Sequence, residues 1–344
     1  MSGMSEISNA SIQQEVASSV DCSNRYGQIL SALLLAATIA TQLMNSDPAA
    51  AASADLNVTT ANELQAALDN VQPGQTIFMA DGTYRGYFDA NRSGTEGAPI
   101  TLQGSAGVIL AGPMNDRGQT LQLNDADYMV LKGFAIKGGI SGLVLSETDN
   151  AIISGLNISG TGNEGLAIRN NSSSNKVENS FIHDTGQVHE AYGEGIYIGT
   201  AYSNWDKVTN GKPDKSDSNV ILRNVIRNTP GENIDIKEGT RFGIIRENSF
   251  DGRGMDGVNH ADSWVDIKGN NYNFEANKGV NAMRDGYQTH AVLEGWGNNN
   301  KFVRNISYVN SGGYAYNIDP KTIGNVVRCI NAVRGAELTN DDCL

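Results

Sequence analysis

The chain has 344 residues, 39 of them glycine and only 7 proline, with a formal net charge of −13. Its basic residues form no dense cluster, which removes nucleic acid and anionic membrane surfaces from the expected partners. The length is large for one ordinary core and natural for a repeat architecture, so internal periodicity is the first property to test.

From the N-terminus, Ile29–Met44 is a 16-residue, mainly apolar stretch, and Ala52-Ser53-Ala54 after it has the small-x-small form of an export cleavage site. The pattern predicts a leader over 1–54 and a single secreted domain over 55–344, with no membrane contact once the leader is removed; a retained membrane anchor is the competing reading. Cys22 would leave with the leader. Cys329 and Cys343 remain near the C-terminus, and two cysteines so placed in an exported chain predict a disulfide that ties down the tail.

The one clear helical pattern is Thr59–Val71, where Thr60 and Glu63 form a capping box and Leu64, Ala67, Leu68 and Val71 share a face. "PGQTIFMADGTY" at 73–84 then reads as turn, alternating strand and turn. Beyond it, short β-rich runs alternate with Asn/Gly/Ser/Asp turns. "EGLAIR" (164–169), "EGIYIG" (194–199), "ENIDIK" (232–237), "SWVDIK" (263–268) and "DGYQTH" (285–290) can be superposed, and the runs that follow carry Asn224, Asn248, Asn277 and Asn305 at one recurring place. A period of this size with no helix between strands predicts an all-β, right-handed parallel β-helix with an N-terminal capping helix and stacked Asn side chains bonded from coil to coil. A β-propeller, whose blades are longer and four-stranded, fits the spacing less well.

With the helix, the 73–84 motif and the coils in place, the chain over 57–343 resembles the secreted pectate-lyase-like β-helix proteins, nearest in type to polysaccharide lyases of the alginate-lyase and chondroitinase-B kind. The resemblance implies a polysaccharide substrate, acidic or neutral, and for that lyase type a Lys/Arg pair with a calcium-assisted carboxylate. It does not fix a reaction, because such folds carry lyases, hydrolases, epimerases and plain binders.

The superposed runs fix which side chains stack. One outward column reads Ala167, Tyr197, Asp235, Asp266, Gln288 and the next reads Arg169, Gly199, Lys237, Lys268, His290. The two Asp-Ile-Lys segments thus become one sheet position on successive coils, an outward polar patch. Taking the C5 proton from a uronate needs a base, a positive group beside the carboxylate and a proton donor for the leaving oxygen. Lys237 or Lys268 is the candidate base, Arg284 the neutralising cation and His290 the second proton carrier. Asp235, Asp266, Glu232 and Asp262 are candidate calcium ligands. Asp235, Asp266, Gln288 and Tyr197 are expected to contact sugar, with Tyr202 and Trp205 on the long 201–218 loop as a binding wall. No organic cofactor is implied, and a monomer is expected. A non-catalytic glycan-binding protein, a hydrolase using Asp235 and Asp266, and a C5-epimerase remain open beside β-elimination.

Overall fold

The structure is a computed structural model that describes residues 54–114 and 118–344, so the expected leader, apart from Ala54, lies outside the described residues. Among those residues the strands form three parallel sheets of eleven, ten and ten strands, and from the second strand on every third strand in sequence joins the same sheet. The architecture is therefore a parallel β-solenoid in which each coil gives one strand to each sheet.

Short strands suffice because the inward positions stack in register. In one sheet Ile153, Val177, Ile221, Ile245, Phe274 and Phe302 are successive neighbours, all fully buried. Burial of each such side chain is worth about 1.5–3 kcal/mol, and the column repeats in all three sheets. Near the C-terminal coils the interior turns aromatic, with Tyr287 stacked on Tyr316 and edge-on to Trp264 and Phe302. Gly279 makes room for this: a Cβ there would lie 2.2 Å from the Trp264 ring.

The Asn column behaves as expected and does more. Asn224 Nδ2 donates to Asn248 Oδ1 at 3.1 Å, Asn248 to Asn277 and Asn277 to Asn305 at 3.0 Å, and Asn305 to Asn331 at 3.3 Å. Each of these oxygens also accepts the backbone N–H of the preceding ladder residue, as in Asn224 N to Asn248 Oδ1 at 2.9 Å. The residues just before Asn224, Asn248, Asn277 and Asn305 have a left-handed backbone, with φ of 54° at Arg223, 56° at Glu247, 54° at Ala276 and 55° at Arg304. Sharp turns of this kind cost backbone energy for non-glycine residues, and the buried amide bonds hold them.

The predicted helix is Ala61–Asn70 with Thr60 as N-cap and both halves of the capping box formed with Glu63. It buries Leu64 and Leu68 against the first coil. At the other end Cys329 and Cys343 form a disulfide.

Candidate active site

The site lies on the outer face of the sheet whose strands include Leu166–Arg169, Ile196–Ile198, Ile234–Ile236, Ser263–Ile267, Asp285–Thr289 and Tyr314–Ile318. On these strands Ile and Val point inward, so the residues between them point out. Pairing places Ala167, Tyr197, Asp235, Asp266, Gln288 and Asn317 side by side across consecutive coils. The next column is equally regular, because the N–H groups of Gly199, Lys237, Lys268 and His290 each donate to the carbonyl of the coil before.

The columns are as expected, but their environment is not an exposed patch. Asp235 is 3% exposed, Asp266 7% and Lys268 9%. They form the floor of a cleft of about 490 Å³ that Lys237, Arg284, Gln288 and His290 also reach. One wall is built by loops remote in sequence: Asn259 and His260 line the cleft, and Asn259 Nδ2 donates to the carbonyl of Ala191, joining the Val258–His260 turn to the Glu190–Tyr192 turn.

Charges on the floor are paired. Lys268 Nζ lies 2.9 Å from Asp235 Oδ1 and 2.5 Å from Asp266 Oδ2, and Lys237 Nζ lies 2.5 Å from the other oxygen of Asp235. Burial opposes the Lys268 charge, yet Asp235, Asp266 and Glu232 outweigh it and hold the ammonium well above the usual lysine range. Burial likewise pushes Asp235 up, and Lys237 and Lys268 reverse that, leaving it below the usual carboxylate range. Lys268 is thus a locked cation.

The open end is different. The Arg284 side chain is 66% exposed and approaches Asp262 at 3.5 Å, while His290 Nε2 sits 3.0 Å from Gln288 Oε1 and 3.6 Å from Asp266. Gln288 donates to Asp262 at 2.6 Å and to Asp285 at 2.8 Å, which fixes its amide across the floor.

Glu194 was not singled out from the sequence. The signal was there, since three of the superposed runs begin with Glu164, Glu194 and Glu232. Glu194, Glu232 and Asp235 bring one carboxylate oxygen each within 4.8 Å of one another. Burial first, then Asp235 and Glu164, push Glu194 up to about 8, and burial followed by Asp235 and Asp266 holds Glu232 well above the carboxylate range. Tyr197 is likewise held above the phenol range by burial, then by Asp235 and Glu194, and the Lys237 ammonium lies 5.0 Å over its ring.

Of the four candidate calcium ligands, Glu232 and Asp235 come together, but with Glu194 instead of Asp266 and Asp262. Asp266 is taken by Lys268, and Asp262 by Gln288 and Arg284. Tyr202 and Trp205 do not line the cleft. Trp205 Nε1 donates to the Thr200 carbonyl at 2.7 Å and its ring packs beside Gly239, so it fastens the 201–218 loop to the scaffold. Asp214 fastens the same loop by accepting the N–H groups of Asn170 and Asn171.

Comparison with known proteins gives the arrangement a context. The chondroitinase B family model matches residues 58–143, the opening coils ahead of every cleft residue named above. An alginate lyase from Paenibacillus sp. str. FPU-7 superposes with a TM-score of 0.79 and 33% identity, over 83% of this chain and 97% of that one. The pectate lyase Pel9A gives a TM-score of 0.59 at 15% identity over 83% of this chain and 80% of that one, a likeness of fold alone. The periplasmic alginate epimerase AlgG does the same at 0.53 and 12%, over 76% and 61%. No curated protein matches the sequence. By its identity to the Paenibacillus alginate lyase over nearly all of that enzyme, the chain belongs to a family of β-solenoid polysaccharide lyases.

Proposed function

We propose that the protein cleaves a uronic-acid-containing polysaccharide by β-elimination in the Asp235–Gln288 cleft, with the Paenibacillus relative pointing to alginate as the first substrate to try. One observation carries the reading. Lys237, Arg284 and His290 reach a single cleft in whose acidic floor Lys268 already pairs with both Asp235 and Asp266.

In this reading Lys237 first releases its ammonium proton to solvent and then takes the C5 proton as the neutral amine; it can release that proton more readily than Lys268 because it meets only one carboxylate and its side chain is less buried, whereas Lys268 is fixed between two. The electron pair left behind forms the C4–C5 double bond, and the C4–O bond breaks toward the glycosidic oxygen. Tyr197, a phenol that keeps its proton and lies beside Lys237, supplies the proton to that oxygen. Arg284 and His290, at the open end, face the uronate carboxylate and lower the cost of charge accumulating there. A hydrolytic Asp235/Asp266 pair is disfavoured, since the two carboxylates sit opposite each other in register and share one ammonium. Secretion of the mature chain belongs to the same proposal and rests on the apolar leader sequence.

The residues present do not fit calcium. Both oxygens of Asp235 are held by lysines, so the Glu194/Glu232/Asp235 group offers a cation two uncommitted carboxylates where Ca²⁺ takes about six to eight oxygens. Side-chain cations perform the neutralisation instead.

The test is ultraviolet absorbance of unsaturated uronate ends on alginate and other uronans, with and without chelator. Wild-type protein is expected to cleave equally in both. Lys237→Ala is expected to lose about a thousandfold or more in kcat while losing less thermal stability than Lys268→Ala, since Asp235 keeps its bond to Lys268. Lys268→Ala is expected to lose stability, about 3 kcal/mol, because it leaves buried charges unpaired. A chain inactive on every uronan, or a fully active Lys237→Ala, would sink the assignment.

A further inference from the structure

Beyond the catalytic cleft, and resting on the lyase reading, we propose that Arg169 forms a separate carboxylate-binding subsite, which holds a uronate unit of the same polymer two coils to the N-terminal side of Lys237.

A second cleft, of about 270 Å³, adjoins the first on the same sheet face, and Arg169, Glu164, Tyr192, Glu194 and Tyr197 line it. Tyr197 is the direct register neighbour of Asp235, so the two clefts meet at one coil step. Arg169 belongs to the column that continues through Gly199 to Lys237, which places it about 10 Å from Lys237 at about 4.8 Å per coil. Gly199 adds no side chain of its own at that step, where a Cβ would meet Thr240 Cγ2 at 2.5 Å and Lys237 Cβ at 3.4 Å.

Arg169 is also unemployed. It is partly buried, yet among the described residues its guanidinium has no hydrogen-bond or ion-pair partner. A structural arginine would be expected to take an acid, and Glu164 and Glu194 line the same cleft without pairing with it. Near neutrality Glu194 carries its proton, owing to burial and then to Asp235 and Glu164, and so offers an O–H to a ligand instead of a second negative charge. An unpaired planar guanidinium is suited to a carboxylate, which it can hold by two parallel bonds. Tyr192, 56% exposed at the rim, presents a ring face for sugar. Since carboxylates recur along a uronan, a chain seated at Lys237 and running along the solenoid axis delivers another one here.

The experiment compares wild type, Arg169→Ala and Arg169→Lys on alginate and on size-fractionated alginate oligomers, with retardation in an alginate-containing gel measured in parallel. Arg169→Ala is expected to raise KM for long oligomers about tenfold, equivalent to about 1.4 kcal/mol, while kcat changes little. The gain in kcat/KM with oligomer length should flatten, and Arg169→Lys should restore part of it. Unchanged KM and unchanged gel retardation in Arg169→Ala would overturn the subsite. If wild type is retarded by alginate but cleaves nothing, the lyase reading fails, and loss of retardation in Arg169→Ala still supports the subsite.

Discussion

Glu194 shows what burial does to one residue of this site. Its carboxyl is pushed from an ordinary 4.5 up to about 8, by burial first and then by Asp235 and Glu164, so the folded state favours the protonated form. The stability this confers is full below 4.5 and is lost as pH rises through about 8. Glu194→Gln, which cannot ionise, is therefore expected to match wild type in mildly acidic buffer and to exceed it in thermal stability above about pH 8; the same melting difference at every pH would refute this. The sequence revealed part of this neighbourhood. The Asp-Ile-Lys repeats at 235–237 and 266–268 disclosed the register, because an apolar residue flanked by opposite charges has one sensible orientation on a sheet. It could not disclose that these charges are sealed in a cleft, since the wall comes from turns near 191 and 259, whose contact is tertiary. For the same reason Lys268 and Lys237 look alike in sequence and are unlike in the structure, one clamped by two aspartates and the other by one.

At the scale of the element, the turn that precedes each strand of the Asn ladder is held by side-chain amides. Asn248 accepts from the backbone and side chain of Asn224 and donates to the Ile221 carbonyl and to Asn277. Asn248→Ala would take the side-chain acceptor from the buried Asn224 N–H, at about 1–3 kcal/mol, and remove the amide bond to the Ile221 carbonyl. The expected loss is about 3 kcal/mol in denaturant unfolding, whereas Asn57→Ala, at an exposed position of the strand Leu56–Val58, should cost well under 1 kcal/mol. A ladder substitution no more costly than the exposed one would show that the amides do not hold the turns. The ladder was legible because Asn recurs at fixed spacing between apolar runs; the third strand of each coil was not, because runs of three residues such as Val225–Arg227 carry one inward side chain and no readable period.

For the whole molecule, a solenoid has only neighbour contacts between coils, so its ends can open without the middle. The Cys329–Cys343 disulfide closes a short loop at one end. Cys329→Ser with Cys343→Ser is expected to raise amide exchange over 326–343 while leaving the 234–289 strands protected; uniform exchange along the chain would mean that the coils unfold as one unit. The same independence explains why the opening coils match a chondroitinase B model while the cleft, several coils later, is free to differ. It does not make the coils interchangeable. Backbone bonds between coils run in both directions, as Ser249 N to Asn224 and Gly252 N to Val280 illustrate, but in the Asn-to-Asn bonds from Asn224 to Asn331 the donor is always the Asn of the N-terminal coil, whose second amide hydrogen goes back to a carbonyl of the coil before, as Asn248 to Ile221. Their dipoles therefore add head to tail, giving the solenoid an electrical polarity that its strands lack, and each amide strengthens the next by polarising it. Any coil grafted into this scaffold has to preserve the sense of that polarity as well as the spacing.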